Sequence, residues 1–312
     1  MKAAFLLVLV PALAFAEGKG SNAVAEQHAV LEIKPTPKHP FKELSIENPL
    51  GDIRVEGYDG DGIQVETWKY GPDDDTLDRL RVSLVPSGDG AVHLMTTADG
   101  GREVKPVPRS AVHINILIRT PRNVRINAAV SNGQIVLNNL DAGGELDTST
   151  GPISVSNVAG ELWTHSVSGK TSIAQAFGSV DAATVNSDVE LDTINGDKLV
   201  ASASKGQIAG RRVRSRDVEL TTTDGRIQLE AELALHGRMV VSSLRGDIDV
   251  RLRAHGATQL RARGMKVDFG GTPSIRQGDW TMATFGRMTD PAAMVELQSR
   301  SANVNVQFAI VQ

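Results

Sequence analysis

Residues 132–137 read Asn132-Gly133-Gln134-Ile135-Val136-Leu137, and eighteen residues later the chain reads Thr150-Gly151-Pro152-Ile153-Ser154-Val155. The shared phrase is a small polar residue, a glycine anchor, a variable residue, an aliphatic, another variable residue and a second aliphatic. Further copies are anchored at Gly169, Ser187, Gly206, Gly225, Gly246 and Met265, so successive spacings are 18, 18, 18, 19, 19, 21 and 19. Two places after the anchors stand Ile135, Ile153, Thr171, Val189, Ile208, Ile227, Ile248 and Val267. Four places after stand Leu137, Val155, Ile173, Leu191, Gly210, Leu229, Val250 and Phe269. Thr171 and Gly210 break an otherwise apolar double column. Alternation at period two marks a strand with one buried face.

A second apolar stretch lies between successive anchors, with Leu162, Val180, Leu199, Val218 and Met239 seven residues before Gly169, Ser187, Gly206, Gly225 and Gly246. Two strands at a fixed period near eighteen predict an all-β fold, a parallel β-solenoid of 18–19-residue coils with two short strands each. Gly, Asn, Asp and Ser between the strands suit corners that need positive φ or local side-chain hydrogen bonds. Eight coils at ~4.8 Å per paired strand give a stack of roughly 38 Å. One place after the anchors, Lys170 is expected above Asp188, and Arg226, Asp247 and Lys266 are expected to alternate in sign along the stack. Arg211, Glu230 and Arg251 repeat that alternation four residues further on.

Both ends depart from the period. Residues 41–129 hold an opening coil, Asn48-Pro49-Leu50-Gly51-Asp52-Ile53-Arg54-Val55, followed by an insertion. The insertion carries an acidic loop at Asp73-Asp74-Asp75 and strands near 80–85, 91–97 and 111–119, with a hairpin turn at Ser87-Gly88-Asp89-Gly90. The repetitive solenoid covers 130–269. Residues 270–312 comprise an interruption around Trp280, a ninth coil at Val295-Glu296-Leu297 and Val304/Val306, and a cap. Irregular capping strands at both ends are needed because an open solenoid end offers unpaired edges.

Residues 1–16 have the form of a signal peptide: Met1-Lys2, an apolar run over 3–14 broken only by Pro11, then Ala14-Phe15-Ala16 as a small-x-small cleavage site. The run is shorter than the roughly 20 residues that span a bilayer. The expectation is export to the periplasm, cell surface or medium, with no integral membrane segment after cleavage. Residues 17–40 read as a polar lead, a flexible or extended tether, in which Lys34-Pro35-Thr36-Pro37-Lys38-His39-Pro40 neither propagates a helix nor pairs inside a sheet.

Composition narrows the function. The 312 residues are 40% hydrophobic and 22% charged, with a net charge of −4, 30 glycines and no cysteine. Disorder needs fewer apolar residues and a higher net charge. A mildly negative chain is no nucleic-acid binder, and without cysteine there is no disulfide, thiolate metal site or cysteine nucleophile. The seven histidines show no HExxH spacing, and neither a nucleophile elbow nor a phosphate loop is present.

Four constellations remain. Asp247, Asp249 and Asp268, beside Arg226 and Lys266, are the carboxylates that a β-helix lyase or hydrolase would need, ~5–9 Å apart. Asp59, Asp61 and Glu66 offer oxygens for calcium, although EF-hand and nonapeptide β-roll spacings are absent. Asp73, Asp74, Asp75 and Asp78 offer further oxygens of the same kind. Arg211, Arg212, Arg214 and Arg216, with Arg251, Arg253, Arg261 and Arg263, form a basic patch suited to an acidic polysaccharide or an acidic partner, partly neutralised by Glu219, Glu230 and Glu232. Trp68, Trp163, Trp280, Tyr58 and Tyr70 are dispersed candidates for sugar stacking.

Asn48-Pro49-Leu50-Gly51-Asp52-Ile53, Gly57-Tyr58-Asp59-Gly60-Asp61, the run from Ile116 to Val124, and the repeated Gly-x-Ile-x-Val phrases together resemble the bacterial domain of unknown function 4097, a family of candidate adhesins. The resemblance covers about residues 41–311. It implies an exported, β-helix-like envelope protein without established catalytic residues. The expected function is a non-enzymatic scaffold or binding module meeting an unidentified protein or an acidic polysaccharide of the cell envelope. The alternatives are a carbohydrate-active β-helix enzyme and an accessory protein in envelope-stress signalling.

Overall fold

The computed structural model describes residues 25–36, 40–98, 109–285 and 292–310. The signal-peptide reading of residues 1–16 lies outside them. The chain divides into two compact units, residues 1–151 and 152–312. Both are built of parallel β-solenoid coils. No helix among the described residues is long and apolar enough to cross a membrane.

The first unit contains β1 (Ala25–Ile33), β2 (Glu43–Asn48), β3 (Ile53–Tyr58), β4 (Ile63–Gly71), α1 (Asp74–Leu77), β5 (Leu80–Pro86), β6 (Ala91–Ala98), β7 (His113–Pro121), β8 (Arg125–Asn132), β9 (Ile135–Leu140) and β10 (Gly144–Thr150). One wall runs β1–β4–β7–β3–β9, with antiparallel pairing at β1–β4 and β4–β7 and parallel pairing beyond. The other runs β5–β6–β2–β8–β10, antiparallel only at β5–β6. Leu44, Ile46, Ile53, Val55, Ile116, Ile118, Ile135 and Leu137 are buried between the walls.

The second unit contains β11 (Ile153–Ala159), β12 (Leu162–Ser168), β13 (Thr171–Phe177), β14 (Val180–Thr184), β15 (Val189–Ala203), β16 (Ile208–Thr222), β17 (Ile227–Leu233), β18 (Arg238–Ser243), β19 (Ile248–Ala254), β20 (Thr258–Arg263), β21 (Val267–Asp268), β22 (Ser274–Gln277), β23 (Trp280–Phe285), β24 (Ala293–Ser299) and β25 (Val304–Ile310). Strands β15 and β16 each run unbroken through both walls, so two coils have one long strand where the sequence suggests two short ones. The inner column Ile153, Val189, Ile208, Ile227, Ile248 and Val304 is fully buried.

Within each unit, stacking order departs from chain order. Strands β2 and β3 lie between β6/β7 and β8/β9, so the opening coil is an interior layer. Strands β24 and β25 likewise lie between β18/β19 and β20/β21. The sequence suggests Met265 stacked directly on Gly246 with the ninth coil closing the end; instead the ninth coil is intercalated and the eighth lies outside it. A physical reason is the quality of the layers. Coil β24–β25 supplies Val295, Leu297, Val304 and Val306, all essentially buried, whereas β21 has only two residues and ends at Gly270-Gly271 in the left-handed region.

Two further expectations are corrected. Of the lead, Ala25–Ile33 is a strand paired over all nine residues with β4, because the proline-rich stretch begins only beyond it and every residue retains its N–H. The acidic loop is a one-turn helix: Asp73 caps it by accepting the Thr76 N–H at 2.7 Å.

The anchor glycines are explained by proximity more than by φ. A Cβ on Gly246 would lie 1.7 Å from the carbonyl oxygen of Gly225, and one on Gly225 would lie 1.8 Å from that of Gly206. Left-handed residues instead stand six places after the anchors, at Asn139, Asn157, Gln175, Thr193 and Arg212, with φ between 52° and 58°. The series ends there, and the β16–β17 register slips between Gly210 and Val213.

Candidate functional site

The aspartates one place after the anchors are structural acceptors. Asp52 Oδ1 accepts the Gln134 N–H at 2.8 Å, Asp188 Oδ1 that of Gln207 at 2.8 Å, and Asp247 Oδ1 that of Asn303 at 2.9 Å. Each satisfies a corner N–H in the neighbouring layer, as an N-cap does for a helix. The opening motif has the same logic. Buried Asn48 donates to the Ile114 carbonyl at 2.8 Å and accepts from Thr96 Oγ1 at 2.7 Å, while a Cβ on Gly51 would lie 2.4 Å from the Ile114 oxygen.

With these aspartates committed, surface ion pairs run diagonally where the sequence suggests direct stacking. Lys170 Nζ meets Glu190 at 2.6 Å rather than Asp188, and Arg226 Nε donates to Asp249 at 2.7 Å rather than pairing with Asp247. Long side chains reach the diagonal neighbour across a sheet. Lys266 belongs to the displaced outer layer.

That displacement also separates the carboxylates read as a possible catalytic group. Asn305 is the register partner of both Asp249 and Asp268, so these two lie on strands separated by β25. Two strand intervals amount to ~9.6 Å. Asp249 is further engaged by Asn305 Nδ2 at 2.9 Å, and Asp268 Oδ1 accepts the Gly270 N–H at 2.9 Å.

Glu66 is not brought to Asp59 and Asp61. It sits on β4 facing His28 and Arg119, each 3.9 Å away. Asp59 and Asp61 are exposed in the β3–β4 turn, in a shallow depression shared with the Arg122–Asp141 pair. Arg122 Nε donates to Asp141 at 3.0 Å, and that hydrogen bond holds the Asp141 carboxyl below its ordinary value. No group of three or more His, Asp or Glu residues able to hold a metal occurs among the described residues.

The basic patch is largely paired. Arg212, at the left-handed corner, pairs with Asp192 and donates to Thr193 Oγ1 at 2.9 Å; Arg211 lies 3.8 Å from Asp192. Arg214 donates to Glu232 at 2.9 Å, Arg253 lies 3.9 Å from Glu230, and Arg251 donates to Gln307 at 3.2 Å. The hydrogen bond between His255 and Glu232, 2.7 Å long, together with the charge of Arg214, holds the Glu232 carboxyl below its usual value. Arg216 stands exposed at the edge of this group.

Three further guanidinium groups gather around a cleft. This cleft, of about 650 Å³, lies over the ends of β16, β18, β24 and β20, roofed by the β22–β23 hairpin. Strand register places Thr221, Ser242, Gln298 and Arg263 in one row across its floor. Arg300 follows β24, and the hairpin contributes Arg276 and Asp279. Among the described residues, Arg263, Arg276 and Arg300 have no carboxylate within 4.0 Å. Arg263 is held over the Trp280 ring at 4.9 Å, with Arg261 at 5.0 Å from the same ring. The indole thus positions guanidinium groups rather than offering a bare platform for a sugar. Sequence reading included Arg263 in the basic patch and singled out Trp280, but Arg276 and Arg300 are far apart in the chain and carry no local signal.

The chain belongs to the Toastrack DUF4097 family, whose model matches residues 41–268. No curated protein matches it. Among solved structures, a candidate adhesin from Parabacteroides merdae aligns with TM-score 0.42 at 9% identity over 89% of this chain and 96% of that one. A candidate adhesin from Bacteroides fragilis gives 0.31 at 14%, over 90% and 97%. A candidate lipid-binding protein from Parabacteroides distasonis gives 0.32 at 11%, over 89% and 96%. Similarity at this level assigns neither ligand nor activity.

Proposed function

We propose that the chain is an exported, non-enzymatic module of the cell envelope, a β-solenoid that presents its side chains to a polysaccharide or partner surface. Commitment of the outward carboxylates carries this reading: Asp188 and Asp247 close backbone corners, Asp249 is tied to Arg226 and Asn305, and Asn305 stands between Asp249 and Asp268. General acid–base catalysis needs carboxylates that are paired across a substrate and free to exchange protons. Export rests on the leader pattern of residues 1–16. The test is an assay of the purified chain for lyase and hydrolase turnover on acidic and neutral polysaccharides. No turnover is expected. Turnover abolished by Asp249→Asn or Asp268→Asn, in variants that melt like the parent, overturns the reading.

A further inference from the structure

Arg211, Arg212, Arg214, Arg226, Arg253 and Arg261 are each paired with a carboxylate on the sheet surface. In the cleft below the β22–β23 hairpin, however, three guanidinium groups, from Arg263, Arg276 and Arg300, face one carboxylate, Asp279. An excess of unpaired guanidinium on a chain of net charge −4 is a local reversal of field, which draws anions to one place. Guanidinium forks match the paired oxygens of carboxylate, sulfate and phosphate groups. The three approach from different elements, with Arg263 on the floor, Arg300 on the corner after β24, and Arg276 on the roof.

The rest of the lining defines what carries the anionic group. Beside Arg263 the floor presents the Ser242 and Thr221 hydroxyls and the Gln298 amide, one per strand. Four strands at three intervals make this row ~14 Å long, more than a lone oxyanion occupies and comparable with two or three sugar rings. The deeper hydroxyls are already used: Thr222, Ser243 and Ser299 donate to the carbonyls of Gly206, Gly225 and Gly246 at 3.1, 3.3 and 3.0 Å. They fix the corner while leaving the outer row to face the cleft. Leu244 and Met265 are the large apolar residues of the lining, too few to hold an acyl chain, and the Trp280 face is occupied by arginines.

We infer that this cleft is a binding site for an acidic saccharide, its anionic group held by Arg263, Arg276 and Arg300 and its hydroxyls by the Thr221–Ser242–Gln298 row. The inference rests on the reading of the chain as a binding module and adds the place and the ligand class.

Calorimetric titration of the full chain with tetragalacturonate, a heparin-derived tetrasaccharide, maltotetraose and inorganic phosphate tests it. The expected result is binding of one or both acidic tetrasaccharides, distinguishing carboxylate from sulfate as the anion, and none of maltotetraose. Arg276→Ala and Arg300→Ala are each expected to weaken binding about tenfold or more, the loss of a charge-assisted hydrogen bond. Ser242→Val should weaken tetrasaccharide binding and leave inorganic phosphate unaffected. Arg216→Ala, outside the cleft, should change nothing. Arg276 and Arg300 are exposed, so these variants retain the fold, and their melting curves verify it. Failure of both acidic tetrasaccharides to bind overturns the inference, as does binding unchanged in the Arg276→Ala/Arg300→Ala double variant. Phosphate binding as tight as that of the saccharides, with Ser242→Val silent for both, also overturns it and leaves a plain anion site. Each of these leaves the non-enzymatic reading standing, since only polysaccharide turnover overturns that.

Discussion

Asp188 Oδ1 accepts the backbone N–H of Gln207 at 2.8 Å, nineteen residues ahead and one layer along the stack. The same atom type at the same position serves Gln134 from Asp52 and Asn303 from Asp247. A corner N–H that leaves the strand ladder needs an acceptor, and a short carboxylate supplies it as an N-cap does. Asp188→Ala is therefore expected to lower stability by about 1 kcal/mol, while Asp188→Asn retains an acceptor oxygen and costs a few tenths. Urea denaturation of the two variants separates this role from a surface-charge role, in which both substitutions would cost the same.

Thr193 is a β-branched residue at φ 57°, at a corner position otherwise held by Asn139, Asn157, Gln175 and Arg212. The left-handed region crowds the branched Cβ, and asparagine tolerates it better. Thr193 Oγ1 also accepts from Arg212 Nε, a role that an asparagine carbonyl can fill. Thr193→Asn is expected to raise stability by about 0.5–1 kcal/mol, read as a higher urea midpoint with unchanged slope. An unchanged or lower midpoint would show that the branched side chain contributes more by packing than it loses by strain.

Asp181 on β14 lies near Lys198 and Glu219. Burial pushes its carboxyl above the ordinary value; Lys198 opposes the shift and Glu219 adds to it. A folded-state value above the unfolded one means that the native protein binds the extra proton. Stability is then present in full below the ordinary carboxylate range and declines as pH rises through the raised value. Asp181→Asn should stabilise the protein at pH 7, with the gain vanishing in acid. Denaturation midpoints of both proteins from pH 7 downward check this; a gain that persists at the acid end contradicts it.

The period, the two buried columns and the inserted strands were legible because each rests on local alternation. The strands expected near 80–85, 91–97 and 111–119 are β5, β6 and β7. What was hidden is non-local. Nothing in Gly246 or Met265 reveals that Val304 rather than Val267 will pair with Ile248, since all offer the same anchor-and-aliphatic pattern. Corner chemistry was half legible: glycine was expected for its φ, but the 1.7 Å approach of Gly225 oxygen to a Cβ on Gly246 is a property of two layers together. The cleft was legible only in part, because Arg263, Arg276 and Arg300 converge through a hairpin that interrupts the repeat.

The intercalated layer makes its own prediction. In a solenoid stacked in chain order, residues 293–310 would form the fraying end and their amides would exchange early. Here β24 is flanked by β18 and β20, and β25 by β19 and β21, so each has a partner on both sides despite lying last in the chain. The outer positions fall to β21 and β22, and β22 is exposed along all four residues, with Ile275 76% accessible. Amides that open only when a flanking layer detaches exchange more slowly than those at an open edge. Hydrogen exchange followed by mass spectrometry should find Val295–Leu297 and Val304–Val306 among the protected segments of the second unit, with 267–277 exchanging well before them. The reverse order, with 293–310 exchanging first and 258–268 protected, would mean that the eighth coil stacks directly on the seventh in solution.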